Sequence, residues 1–349
     1  MHIAAVGRAL PENYYDQETL IAAFKKHWGA RHYNLDRLER LHQNVLVGGR
    51  HLALTLEEYE RLDSFTETNH AYIRCAVELG ARAIDDGLMA AGLETRDIDH
   101  IFFVTSTGVA TPSIDALLSN RLSLRSDVKR TPIFGLGCLA GAAGIARAAD
   151  YLRAYPDEVA VLVSVELCSL TLQRRDLSIP NIIASGLFGD GAAAVVQVGA
   201  QRANGGPSVI ASRSIFYPRT EEVMGWDITE EGFRVVLSAD VPKVVSEHVR
   251  EDVESFLADQ NLGLEQISSY VCHPGGPKVL EALQAALDLP AGALALTWES
   301  LKSLGNLSSA SVLMVLRDTL ERRRPAAGSY GLMLAMGPGF CSELVLLRW

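Results

Sequence analysis

TPIFGLGCLAGAAGIARAADYL, residues 131–152, passes from a β-rich run through a glycine-rich turn into a helix built largely of alanine and glycine. A helix with so little side-chain bulk is packed tightly on several sides. Cys138 stands at the turn, where a helix start offers free backbone N–H groups and the positive end of the macrodipole, both of which favour thiolate over thiol. Free cysteines are ordinarily buried packing residues, and Cys75, Cys168, Cys272 and Cys341 read that way. Cys138 is set apart because strand, turn and helix together present one side chain.

Working outward, strand-like runs rich in Val, Ile and Phe fall at 101–105, 131–135, 159–165, 192–198, 269–272, 331–335 and 343–347. Helical periodicity fills 71–91, 141–153, 241–259, 277–287 and 309–323. Strands alternating with helices predict an α/β class. The polar stretch QRANGGP, residues 201–207, has no periodicity and predicts a boundary between two halves, 1–205 and 206–349. Halves of comparable size suggest a duplication, but no sequence repeat supports it.

Two further turns carry reactive side chains. In VCHPGGPKVL a strand ends at His273 and a helix begins near Pro277, which places the imidazole at a strand's carboxyl end, where α/β folds bind ligands. In SLGNLSSASVLMVL a glycine-containing turn enters an amphipathic helix at Asn306. Helix capping accounts for such an asparagine unless Ser308 or Ser309 caps instead, which frees Asn306 to donate hydrogen bonds. A cysteine, a histidine and an asparagine at three similar strand-to-helix turns suit acyl transfer: a thiolate accepts an acyl group, and two donors stabilise an enolate oxygen.

Composition narrows the classes. The chain has 349 residues, 48% hydrophobic and 21% charged, a soluble globular balance. A formal charge of −10 argues against nucleic acid as a partner. One local patch opposes that sign: Lys25, Lys26, Arg31, Arg37, Arg40 and Arg50 against Asp36 and Glu39. By itself such a run is a solvated helix face. The five cysteines are odd in number and lack a C-x-x-C pair, which fits neither a disulfide framework nor a zinc site. Residues 1–10 lack a signal-type apolar run, and no stretch approaches the roughly 18 apolar residues of a membrane span. A reducing cytoplasm is the expected location.

With these residues in hand, the sequence resembles the type III polyketide synthases, the family of chalcone synthase and its bacterial relatives. The likeness rests on GLGCLAG around Cys138, LFGDGAAA at 187–194, HPGGPKVL from His273, GNLSSASVL from Gly305 and AMGPGF at 335–340. It implies a thiolase fold, a duplicated αβαβα five-layered sandwich, working as a homodimer on malonyl-CoA and acyl-CoA with no metal and no other cofactor. By resemblance, Cys138 is the acyl-bearing nucleophile, while His273 and Asn306 promote malonyl decarboxylation. Phe188 and Phe233 match gatekeeper positions, for each of which a core aromatic is the plainer alternative. Ser308 and the loop of Gly337, Pro338 and Gly339 fall at the cavity. Arg37 and Arg40 match cations that bind coenzyme A phosphates; Asn44 replaces a third, with Lys278 or Arg50 to supply charge nearby. Thr111 replaces a methionine that reaches the neighbouring subunit's cavity, and Cys168, Thr171 and Leu172 are of modest size beside the site. These small residues, with an overall similarity to bacterial alkylpyrone-forming members, lead to the expectation of a long-chain acyl starter and closure to an α-pyrone. An alkylresorcinol-forming synthase and a carrier-protein-dependent ketoacyl synthase III are the alternatives, and a non-catalytic acyl-CoA-binding partner is a third of different class.

Overall fold

The structure, a computed structural model, describes residues 1–29, 34–202 and 205–349. Arg31 of the basic patch and residues 203–204 of the predicted boundary lie outside them. The chain begins β1 (His2–Ala9), β2 (Asn13–Asp16), α1 (Gln17–Trp28), α2 (Leu35–Gln43), β3 (Gly49–Leu52), α3 (Leu56–Glu60) and α4 (Phe65–Ala91). It continues through β4 (His100–Thr105), α5 (Ile114–Arg121), β5 (Lys129–Phe134), α6 (Ala140–Ala154), β6 (Val159–Leu167), α7 (Ile179–Leu187) and β7 (Asp190–Val198). Then come β8 (Ser208–Phe216), β9 (Met224–Thr229), β10 (Gly232–Leu237), α8 (Val241–Ala258), β11 (Ile267–Cys272), α9 (Pro277–Ala286), α10 (Ala295–Leu304), α11 (Ser311–Arg322), β12 (Tyr330–Gly337) and β13 (Cys341–Arg348).

Nine strands join in the order β11-β12-β13-β8-β1-β7-β6-β4-β5. With β5 set aside, the two ends share one pattern. A parallel pair (β4 with β6, β11 with β12) is followed by an antiparallel step to β7 or β13, and by another to β1 or β8. The duplication, invisible as a sequence repeat, is therefore visible in strand pairing. The two sets meet where His2 of β1 pairs with Ser208 of β8.

The period-two alternation of side chains along a strand builds the layers. Phe102 and Val104 of β4 face α6 and α11, together with Met333 and Ala335 of β12. Ile101 and Phe103 face the opposite way, onto α4, while Leu332 and Leu334 pack on α8 and α9. The result is the five-layered thiolase sandwich, with α6 and α11 as the central layer. Burial on both faces explains the continuous apolar runs of β6 and β7, whose residues are all buried. Helix α4 starts six residues earlier than its apolar periodicity predicts, because Ser64 caps it by accepting from the Glu67 N–H. Among the described residues no helix is long and apolar enough to cross a membrane.

The Ala/Gly composition of α6 follows from its central place. A Cβ added at Gly141 would lie 2.2 Å from the Ser309 carbonyl oxygen and 2.9 Å from Val312 Cγ1. Gly141→Ala is expected to lower unfolding stability by about 1–3 kcal/mol through overpacking. Chemical denaturation checks this, with Ala142→Gly, which adds no bulk, as the comparison.

Candidate active site

Each reactive side chain owes its place to a chain reversal at a helix start. After β5 the chain makes a short 3-10 turn, Gly137–Leu139, and enters α6, so Cys138 sits just ahead of that helix. His273 follows the last residue of β11, its N–H donating to the Leu334 carbonyl at 2.9 Å. Asn306 corrects the expectation of a third strand-to-helix turn, because it lies between two helices, α10 and α11. What strand character it has comes from a bridge to Phe188. Neither Ser308 nor Ser309 caps α11 through its side chain; both hydroxyls are engaged elsewhere.

Cys138, His273 and Asn306 line one cavity of about 520 Å³, together with Ser106, Phe188, Trp226, Ser308 and Pro338. Neither ring nitrogen of His273 has a hydrogen-bond partner among the described residues. A structural histidine this deeply buried would be bonded, so the imidazole is left for a guest. Asn306 is oriented by its neighbours: its Oδ1 accepts from the Ser308 N–H at 2.8 Å, and its Nδ2 donates to the Gly275 carbonyl at 3.3 Å. The remaining amide hydrogen is the one available to Cys138 and to a guest in the cavity.

Burial sets the electrostatics, and it corrects the expectation of a resting thiolate. It pushes the Cys138 thiol up to about 12, a rise that hydrogen bonding to Ser308 and Asn306 offsets only in part. His273 is pushed down to about 3 by the same desolvation. Desolvation therefore favours neutral thiol and neutral imidazole.

Sequence reasoning placed Ser308 at the cavity but missed the groups behind it, Ser106, Thr107 and Glu166. The Cys138 thiol donates to Ser308 Oγ at 3.6 Å, and the Ser308 and Ser106 hydroxyls are 3.0 Å apart. Ser106 Oγ in turn donates to Glu166 Oε1 at 3.0 Å. Donors thus run from the thiol to a fully buried carboxylate. Glu166 also accepts from the Ser106 N–H, Thr107 Oγ1 and Ser309 Oγ, while burial raises its pKa. The available signal was a lone acidic residue inside the apolar strand VAVLVSVEL.

Several expected site residues lie elsewhere. Arg50 cannot serve coenzyme A at the surface: it is 2% exposed, and its Nη1 donates to the carbonyls of Ser185 and Phe188. Phe233 is a buried core ring behind the wall, stacked edge-on to Phe65 and Trp226. The aromatic beside Phe188 at the cavity wall is Trp226, with ring centroids 6.4 Å apart. Cys168, Thr171 and Leu172 border a separate side cavity of about 120 Å³, which shares Phe188, Trp226 and Val235 with the reactive one. Thr111 is exposed and borders neither cavity. Gly337 ends β12, and Gly339 adopts φ +73 just beyond Pro338. Of the basic patch, Lys25 pairs with Glu39 and Lys26 with Glu60. Arg37 and Arg40 are exposed on α2, whose end brings Asn44 to the cavity rim opposite exposed Lys278.

Residues 1–202 match the family model for the N-terminal domain of chalcone and stilbene synthases, and residues 208–349 match that for the C-terminal domain. The chain is 51% identical to a 1,3,6,8-tetrahydroxynaphthalene synthase of Streptomyces peucetius subsp. caesius, over 99% of this chain and 93% of that protein. It is 32% identical to a phloroglucinol synthase of Pseudomonas fluorescens, over 92% and 91% of the two chains. The crystal structure of 1,3,6,8-tetrahydroxynaphthalene synthase from Streptomyces coelicolor A3(2), a bacterial type III polyketide synthase, superposes with a TM-score of 0.93 at 31% identity, covering 100% of this chain and 99% of that one.

If His273 takes the Cys138 proton as the thiol reacts, His273→Gln slows iodoacetamide alkylation of Cys138 and leaves the inflection set by burial where it is. Near neutral pH alkylation should slow by about tenfold or more, with the rates converging in strong alkali. Equal rates near neutral pH would remove His273 from that role.

Proposed function

The chain belongs to the chalcone and stilbene synthase family, and on that footing we propose that it joins malonyl-CoA units on Cys138 into a pentaketide that closes to a polyhydroxylated naphthalene. It is a type III polyketide synthase, an acyl-transferring condensing enzyme that takes coenzyme A thioesters. The observation that carries the product reading is the 51% identity, along 99% of the chain, to a tetrahydroxynaphthalene synthase.

His273 takes the Cys138 proton as the thiol attacks an acyl thioester, so charge appears only as a transient pair inside the cavity. The departing coenzyme A thiolate recovers that proton. Malonyl-CoA then enters, and its thioester oxygen accepts from an imidazole N–H and from the spare Asn306 amide hydrogen. Loss of carbon dioxide leaves an enolate that these donors stabilise. The enolate carbon attacks the Cys138 thioester and expels the cysteine as a thiolate, which the lengthened chain on coenzyme A then reacylates, the coenzyme A thiolate leaving with a proton from water. A malonyl starter extended four times, then decarboxylated at its far end, has the carbon count of a naphthalene. One Claisen closure releases Cys138, and one aldol closure expels water, which leaves the four oxygens of tetrahydroxynaphthalene. A cavity of about 520 Å³ lies in the range that accommodates ligands of this size.

Lys278 on the rim, with Arg37 and Arg40 on the helix that leads to it, receives the coenzyme A phosphates in this reading. A homodimer, with Thr111 opening space at the neighbouring subunit's cavity where relatives place a methionine, suits the exposure of Thr111 and its absence from both cavities of its own chain.

A second reading keeps the long-chain acyl starter and α-pyrone closure. It is favoured by the side cavity, which is lined in part by the apolar Leu20, Ala23, Phe24 and Leu172.

Mass spectrometry of products from malonyl-CoA alone, and with an acyl-CoA length series added, separates the two. A naphthalene from malonyl-CoA alone is the expected result. Turnover only with a long-chain acyl-CoA would replace it by the second reading, and a requirement for acyl carrier protein would overturn both. Cys138→Ala is expected to abolish product in either case.

A further inference from the structure

Arg50 has no surface role: it is buried against the side cavity, and its Nε and Nη2 have no partner among the described residues. Asp190, in turn held by the Ala53 and Ser169 N–H groups, lies near enough to favour the charge. A buried ion of this kind contributes little to stability, because an apolar side chain of similar shape usually does as well or better. Its geometry points to another task.

The last carbonyls of α7 have no partners within the helix. Arg50 Nη1 takes two acceptors at that end, Ser185 O at 2.6 Å and Phe188 O at 2.9 Å. Between them, Leu187 O accepts from the Asn306 N–H at 2.9 Å, and the Gly189 N–H donates to Asn306 O at 3.0 Å. The aliphatic stem of Arg50 lies against the glycines that flank this pairing. A Cβ at Gly305 would come within 3.1 Å of Arg50 Cδ, and one at Gly189 within 3.4 Å of Arg50 Cβ. Arg50 from β3, the end of α7 and the Asn306 segment therefore lock together as three parts.

We infer that Arg50 is a positioning residue for malonyl decarboxylation: by holding the Ser185 and Phe188 carbonyls it fixes the strand-like pairing that aims the Asn306 amide into the cavity and sets the Phe188 ring at its wall. This rests on the reading of Asn306 as a donor to the malonyl thioester. Cys138 loading is touched less, because β5 and α6 place the cysteine and the Asn306 segment reaches it only through hydrogen bonds to the thiol. Small displacements of a donor from the reacting oxygen carry large rate penalties.

The experiment compares Arg50→Met, which keeps the stem and removes the donors, Arg50→Lys, which keeps the charge and one donor, and Asn306→Ala. Two partial reactions are read: carbon dioxide release from malonyl-CoA and covalent loading of Cys138 by an acyl-CoA, followed by intact-protein mass. Arg50→Met is expected to lower kcat for decarboxylation by about tenfold or more while loading changes by less than about threefold, with KM for malonyl-CoA little changed. Arg50→Lys should fall between it and the parent enzyme, and it carries the comparison if the methionine variant fails to fold. A merely structural role predicts loading and decarboxylation falling together with the folded fraction. That result, or no loss in either reaction, overturns the proposal when Asn306→Ala is inactive in decarboxylation. Decarboxylation that survives Asn306→Ala instead overturns the reading of Asn306, and the role of Arg50 falls with it.

Discussion

The close approach of Gly141 on α6 to the Ser309 carbonyl, just ahead of α11, is the contact on which the rest of the site depends. Two helices occupying equivalent places in the two halves can share a central layer only if one presents almost no side chain where they meet. Their starts then converge, and the residues ahead of them, Cys138 and Ser308, come into hydrogen-bond contact. Beneath them the carboxylate of Glu166, at the end of β6, accepts from both sides of the junction, through Ser106 and Ser309. Packing and chemistry are here one arrangement: the small residues that let the layers close also bring the nucleophile to its partners.

That closure has an electrostatic consequence. Removing Cys138 and His273 from water holds each of them neutral. Charge separation between them is then costly at rest and favoured when a substrate carbonyl arrives to take up the negative charge, because fixed donors act strongly where water is excluded. The orientation of Asn306, imposed by the Ser308 N–H and the Gly275 carbonyl, means such a donor needs no reorganisation when the enolate forms.

The wall formed by Phe188, Trp226 and Val235 divides the reactive cavity from the side cavity. Its position is set from behind, by the hydrogen bonds that Arg50 makes to the end of α7 and by the pairing of Phe188 with Asn306. The same segment therefore governs both the size of the space and the aim of a donor within it.

The α/β class, most of the nine-strand sheet to within two residues at strand ends, and the three residues that meet in one cavity were legible in the sequence, because strand periodicity, glycine turns and helix starts are local properties. Residues such as Cys138 and His273 stand where local punctuation presents them, and local punctuation can be read along a chain. What only the tertiary structure decided depends on who surrounds whom. The duplication resides in strand pairing rather than in residue identity. Arg50, one cation among six in a basic run, became a buried clamp, and Phe233 gave way to Trp226 at the cavity wall, because β9 and β10 turn one ring inward and leave the other behind it. The thiol that a helix start alone would ionise is kept neutral by desolvation, a quantity that arises only when the layers close over it.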